Sequence, residues 1–158
     1  MICVSITDLT HQGAIRAIER SAVAADAIEL RMDLIADGNV SQLLAAARRT
    51  SGCLKVIVTC RRPEESLMPA GSGSAPKKKT LSKTAKMELL KEAISLGADF
   101  IDVELKEGER AIRALQVYRR RQKSSTGLIV SWHDVTGTPS LPRLKEVFRA
   151  CEQTQPDR

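Results

Sequence analysis

The sequence predicts an α/β fold of parallel strands joined by helical crossovers. Three observations carry that expectation. Short apolar or β-branched runs recur along the chain, each ending in polar or ionisable residues. The stretches between them are long and place apolar residues at helical spacing, so the strands are joined by crossovers and not by tight turns. The β-then-α order occurs five times, at a period of roughly 25–35 residues, the size of a β-α unit.

Side chains alternate along a strand, so each run can be split into two faces. Ile2 to Ile6 puts Cys3, Ser5 and Thr7 on one side. His11 to Ala24 follows as a helix with Ile15, Ile18 and Ala22 on one stripe. Ala27 to Asp33 sets Ile28, Leu30 and Met32 against Glu29, Arg31 and Asp33. Val40 to Arg49 is a Leu/Ala-rich helix whose two final arginines suit the negative end of its dipole. Lys55 to Arg61 opposes Ile57, Thr59 and Arg61 to Val56, Val58 and Cys60.

The second half follows the same design. Thr84 to Leu96 carries Met87, Leu90 and Ile94 on its apolar stripe, with Gly97 as the C′ residue. Phe100 to Leu105 places Asp102 and Glu104 together, with Lys106 next in parity. Glu107 to Arg120 is a helix ending in basic residues. Leu128 to Asp134 is a buried strand with Ile129, Ser131 and His133 on one face, broken by a turn containing Gly137 and Pro139. Ser140 to Cys151 opens with an N-cap serine and has Pro142 in its first turn. An imidazole thus stands at the C-terminal end of a strand, where parallel α/β folds place their chemistry.

Composition fits one domain spanning residues 1–158, able to bury a core without disulfides or metals. With no signal-like start and no membrane-length apolar run, the expected setting is the cytoplasm. Cys3, Cys53, Cys60 and Cys151 show no C-x-x-C pairing and are expected as buried reduced thiols. The formal charge is +6, concentrated in Lys77–Lys79, Arg119–Arg121 and Lys123. Aromatic residues make up only 3% of the chain, so there is no stacking platform for single-stranded nucleic acid. The positive field suits a small anionic substrate instead. Residues 66–82, rich in Gly, Ser, Pro and Lys, are expected to form a mobile loop on the active face, either a lid or a surface insertion.

Four motifs in order, each on its own strand, resemble the type I 3-dehydroquinate dehydratases. They are Ile28-Glu29-Leu30-Arg31-Met32-Asp33; Val58-Thr59-Cys60-Arg61 with Glu65; Phe100-Ile101-Asp102-Val103-Glu104; and Ser131-Trp132-His133-Asp134 with Thr138-Pro139. The likeness runs from Ile2 to about Cys151. It implies a (β/α)8 barrel enzyme that dehydrates 3-dehydroquinate to 3-dehydroshikimate through a lysine imine, with no metal or cofactor. It further implies that His133 is the acid/base and that Glu65 orients it. Glu29, Arg31 and Arg61 then bind substrate hydroxyls, with Ser5 as a further contact, while Asp102 and Glu104 organise the polar floor.

Two departures stand out. Where the family follows its glutamate with a Gly pair, this chain has Ser66-Leu67. The resemblance also puts the imine-forming lysine on a sixth strand, roughly 25–30 residues beyond His133. About five of eight units are therefore expected, as an unclosed barrel with open strand edges and an uncovered apolar interior. Lys106 is the only candidate substitute nucleophile, and two nearby carboxylates oppose the lowered pKa such a lysine needs. Two function classes remain: a dehydratase, either a fragment of a longer protein or a barrel completed by another polypeptide, or a non-enzyme, a truncated relic or binding module for a polyhydroxylated acid. The expected partner is a small molecule, not nucleic acid or membrane, with a homo-oligomer or a complementing C-terminal polypeptide as the macromolecular partner to test.

Overall fold

Alternation along each strand decides which side of the sheet meets the helices. The computed structural model describes residues 1–63 and 81–157. Glu65 and nearly all of the expected loop at 66–82 lie outside the described residues. Strands β1 (Cys3–Ile6), β2 (Ala27–Arg31), β3 (Lys55–Thr59), β4 (Phe100–Glu104) and β5 (Gly127–Ser131) pair in parallel, in chain order. They alternate with α1 (His11–Ser21), α2 (Val40–Thr50), α3 (Lys83–Ser95), α4 (Glu109–Arg121) and α5 (Leu141–Gln153). A 3-10 turn, Leu105–Glu107, links β4 to α4. The sheet is open, as the sequence predicts, with β1 and β5 at its edges.

One face of the sheet carries Ile6, Ile28, Leu30, Val56, Val58, Ile101, Val103 and Leu128, all fully buried. They form one core with Ile18, Leu43, Leu44, Leu90, Ile94, Ile112 and Leu115 from the helices. Each such side chain contributes about 1.5–3 kcal/mol on burial. The register stacks the other parity into rows on the opposite face. Ser5 is level with Glu29, Arg31 with Thr59, Thr59 with Asp102, and Glu104 with Ser131. The polar groups of all five runs therefore share one surface. A one-residue slip in any strand would move them to the helix side.

Three aspartates hold this register at the opposite, N-terminal end of the strands. Asp26, just before β2, accepts the Ile2 N–H at 2.6 Å beside β1. Asp99, just before β4, accepts the Val56 N–H of β3 at 3.0 Å and the Lys55 ammonium at 2.8 Å. Asp157, beyond α5, accepts the Leu128 N–H of β5 at 2.7 Å, while its own N–H bonds Leu128 O at 2.9 Å. In each case a carboxylate on an entering segment takes a backbone N–H at the start of a neighbouring strand.

Several expectations are corrected. β2, β3 and β5 end at Arg31, Thr59 and Ser131, earlier than predicted. After β2 the Leu34 N–H turns back to Arg31 O. After β5 the Asp134 carboxylate closes a turn on the Thr136 N–H and hydroxyl, at 2.9 and 2.6 Å. β5 buries only Leu128 fully, because as an edge strand it pairs on one side alone. All four cysteines are free, but only Cys60 is buried; Cys3 and Cys53 are exposed. Cys3 belongs to edge strand β1, and Cys53 sits in the turn before β3.

The arginines expected to serve their own helix ends tie neighbouring elements instead. Arg48 donates to Leu96 O and Gly97 O at the end of α3, at 3.0 and 2.7 Å. Arg119 donates to Thr126 O and pairs with Asp157. Gly97 has the left-handed φ of +72° expected of a C′ residue. Ser140 precedes α5 with extended backbone, but its side chain makes no capping bond. The polar interior row is only partly apolar, with Ile57, Phe100 and Ile129 half-buried. The largest exposed apolar groups of the second half lie on α5: Leu141, Leu144 and Phe148. Among the described residues, no helix is long and apolar enough to cross a membrane.

Candidate active site

The strand ends of one parallel sheet point their last side chains into a common space. Here Arg31 at the end of β2, Arg61 beyond β3, and Trp132 and His133 beyond β5 line a pocket of about 670 Å³. The turn at 134–138 completes its rim. His133 is half-buried and follows the strand by two residues, in parity with Ser131.

Arg31 and Arg61 are both fixed by one carboxylate. Arg31 Nε and Nη2 donate to Asp33 Oδ1 and Oδ2 at 2.9 and 2.7 Å, a bidentate and largely buried pair. The backbone N–H of Arg61 donates to the same Asp33 Oδ1 at 3.2 Å. Burial works against the Arg31 charge, but the Asp33 hydrogen bonds and charge more than offset it and raise the pKa. The Arg61 guanidinium extends between two further carboxylates, 3.4 Å from Glu29 Oε1 and 3.8 Å from Asp102 Oδ2. The Ser5 hydroxyl bonds the other Glu29 oxygen. Ser5, Glu29, Arg61 and Asp102 therefore form one chain across β1 to β4.

Asp102 is the perturbed acid of this group. Burial pushes its carboxyl up to about 6, against the lowering influence of the Ser131 hydroxyl, Arg61 and His133, with Glu29 adding to the rise. An unfolded aspartate releases its proton near 3.8. Between those values the folded state binds more protons, so stability falls as pH rises through about 4 to 6 and stays low above. Asp102→Asn removes that cost. It should stabilise the protein at pH 8 by up to about 2–3 kcal/mol and change it little at pH 4. Urea melts of both proteins at the two pH values test this; an equal effect at both would contradict it.

A second ionic cluster lies behind the row and has no counterpart in the sequence reading. The Lys86 ammonium on α3 donates to Glu104 at 3.0 Å and Glu107 at 2.7 Å, all three side chains being nearly inaccessible. The Arg62 N–H reaches both Glu104 oxygens at 2.9 Å, and the Lys83 ammonium donates to Glu107 O at 2.6 Å. A signal was available: the buried face of α3 is Lys86, Leu90, Ala93 and Ile94, a helical stripe that begins with a charged residue. Glu104 is thus occupied by this cluster, whereas Asp102 faces the pocket group. Burial pushes the Cys60 thiol, near Lys86, up to about 12, which makes it an inert core group.

Of the residues expected at the site, Arg31, Arg61 and His133 meet in the pocket, and Ser5 and Glu29 join through Arg61. Lys106 does not. It is exposed on the 3-10 turn, and it lines a separate groove of about 180 Å³ with Arg143 and Glu146. Lys55 stands at the start of β3, paired with Asp99 at the far end of the sheet. Among the described residues, no group of three or more His, Cys, Asp or Glu is placed to hold a metal ion.

The model of the type I 3-dehydroquinase family matches residues 2–158. The chain belongs to the type I 3-dehydroquinase family. A 3-dehydroquinate dehydratase of Methanococcus maripaludis is 34% identical over 147 residues, which cover 93% of this chain and 60% of the relative. The type I 3-dehydroquinate dehydratase of Clostridium difficile superposes with a TM-score of 0.82 at 24% identity, over 99% of this chain and 60% of that one. The 3-dehydroquinate dehydratase of Aquifex aeolicus gives 0.72 at 25%, over 98% and 63%. The fold is accordingly part of a TIM-type barrel. The chain spans about 60% of the length of the curated relatives it matches.

Proposed function

We propose that this family member carries the acid/base half of a 3-dehydroquinate dehydratase site. The observation that carries the reading is the meeting of His133, Arg31 and Arg61 around one pocket, at the strand ends where this fold places chemistry. In the reaction, a lysine amine condenses with the substrate ketone and releases water. The protonated imine then acidifies the neighbouring carbon. His133 takes that C–H proton and returns a proton to the departing hydroxyl, which leaves as water. Glu29, Ser5, Arg31 and Arg61 hold the substrate's oxygens, and Glu65 orients the histidine. The setting that fits four free thiols is the reducing cytoplasm.

None of the lysines among the described residues has the place of the imine former. Lys86 is held by two glutamates, Lys55 lies at the far end of the sheet, and Lys106 lines another groove. The nucleophile in this reading comes from further β-α units that pair beside β5. The test mixes the 158-residue chain with a polypeptide made of the part of the Methanococcus maripaludis relative that follows the 60% matched by this chain. The mixture should dehydrate 3-dehydroquinate and yield a borohydride-trapped adduct on the added polypeptide. The chain alone should give neither. An adduct on the chain alone overturns the assignment of the nucleophile. Tight binding of 3-dehydroquinate without turnover in the mixture favours a binding module.

A further inference from the structure

Strand β3 makes its last ladder pairs at Thr59, level with Arg31 of β2 on one side and Asp102 of β4 on the other. Beyond that point the backbone finds carboxylates in place of strands. Successive N–H groups of an extended chain point to opposite neighbours. The Arg61 N–H goes to the β2 side, where Asp33 Oδ1 accepts it at 3.2 Å. The Arg62 N–H goes to the β4 side, where both Glu104 oxygens accept it at 2.9 Å. Side chains thus continue the ladder for two residues after the strands have parted. Each carboxylate is buried with a cation: Arg31 at 2.7 Å from Asp33, and Lys86 at 3.0 Å from Glu104. The two peptide groups so held are the ones that flank the Arg61 Cα, and the Arg61 side chain leaves between them for the pocket.

We propose that Lys86 is a positioning residue for Arg61, acting through Glu104. An ionised carboxylate can take the Arg62 N–H on both oxygens, whereas a protonated one gives one oxygen to its own proton. The Glu104 side chain is only 3% exposed, and a carboxylate so buried keeps its charge only with a cation in reach. The Lys86 ammonium on α3 is that cation. A helix residue behind the polar row therefore fixes the peptide on one side of the Arg61 Cα, as Arg31 does on the other through Asp33. With both peptides held, the backbone angles of Arg61 are set and its guanidinium is aimed before any ligand arrives. Only the use made of Arg61 rests on the dehydratase reading; the clamp stands on geometry alone.

Amide hydrogen exchange and ¹⁵N spectra of the 158-residue chain read the clamp directly. Glu104→Gln keeps the size, but its single oxygen cannot serve both the Arg62 N–H and the Lys86 ammonium. Exchange at the Arg62 N–H should quicken about ten- to hundredfold, and at the Arg61 N–H, still on Asp33, by no more than about threefold. Lys86→Met combined with Glu107→Leu removes the ammonium without stranding Glu107, and should give the same pattern. The Arg61 Nε–H, buried and without a hydrogen-bond partner, should shift in both variants while the Arg31 Nε–H keeps its place. In the mixture with the added polypeptide, both variants should raise KM for 3-dehydroquinate about tenfold and leave kcat within about threefold. Unaltered Arg62 exchange overturns the proposal, as does quickened exchange with a fixed Arg61 signal, or a fall in kcat at unchanged KM. If the amide and Arg61 signals behave as stated while even the parent mixture gives no turnover, the positioning role stands and the dehydratase reading fails.

Discussion

His133→Ala, in the complemented mixture proposed above, should lower kcat for dehydration by about 10²–10⁴-fold while leaving KM nearly unchanged. The split follows from the geometry. His133 is on the pocket wall with Arg31 and Arg61, but in the proposed reading the substrate's oxygens are held by residues of β2 and those beyond β3, which are fixed by Asp33 and Glu29. The other histidine, His11, cannot stand in, since its Nδ1 faces the Asn39 N–H at the start of α2. Imine formation does not need the base in this scheme, so borohydride should still trap substrate on the added polypeptide in a mixture made with the variant. Stopped-flow turnover and mass spectrometry of the reduced adduct measure the two effects apart. A variant that turns over at the parent rate, or one that loses the adduct along with turnover, would contradict the role assigned to His133.

Lys86→Met should cost about 3–5 kcal/mol of stability, nearer the lower figure. Removal of the ammonium leaves Glu104 and Glu107 buried with their charges uncompensated. Partial relief comes from the Arg62 N–H on Glu104 and from Arg62 and Lys83, 3.7 and 3.9 Å from Glu107. Burial opposes the Lys86 charge, yet its hydrogen bonds to Glu107 and Glu104 prevail and raise its pKa. Its stabilising effect is therefore complete at neutral pH and fades only as pH rises beyond the ordinary lysine range. The deficit of the variant should shrink in acid, where the stranded glutamates take up protons. Lys86→Met combined with Glu107→Leu should recover part of the loss. Denaturant melts measure all of this, and a deficit under 1 kcal/mol for the single variant would show that the cluster is solvated in practice.

The inner row was legible because period-two alternation fixes sidedness without any tertiary information. Glu29, Arg31, Arg61 and Asp102 followed from counting residues along their strands, and the structure sets them on one face. His133 followed by the same count, although its strand ends at Ser131. Less legible were partners chosen by folding across distance. Nothing in the α3 sequence names Glu104 and Glu107 as the mates of Lys86, which lie 18 and 21 residues away. Asp33 stood in a recognised motif, but its grip on the Arg61 backbone depends on how two turns meet. The thiols misled for a related reason: an apolar neighbourhood in sequence does not say whether an edge strand is covered.

The aspartates at the strand entrances bear on how errors are prevented during assembly. A parallel sheet has few internal means of detecting a slipped register, because backbone hydrogen bonds repeat at every second residue. Asp26, Asp99 and Asp157 break that degeneracy, since each accepts one named N–H, on Ile2, Val56 and Leu128 respectively. A strand shifted by one residue forfeits its carboxylate contact, by a displacement of about 3.3 Å, at the moment it would turn its ionisable groups toward the helices. The proofreading marks are thus written at one end of the sheet, and the candidate site whose sidedness they protect sits at the other.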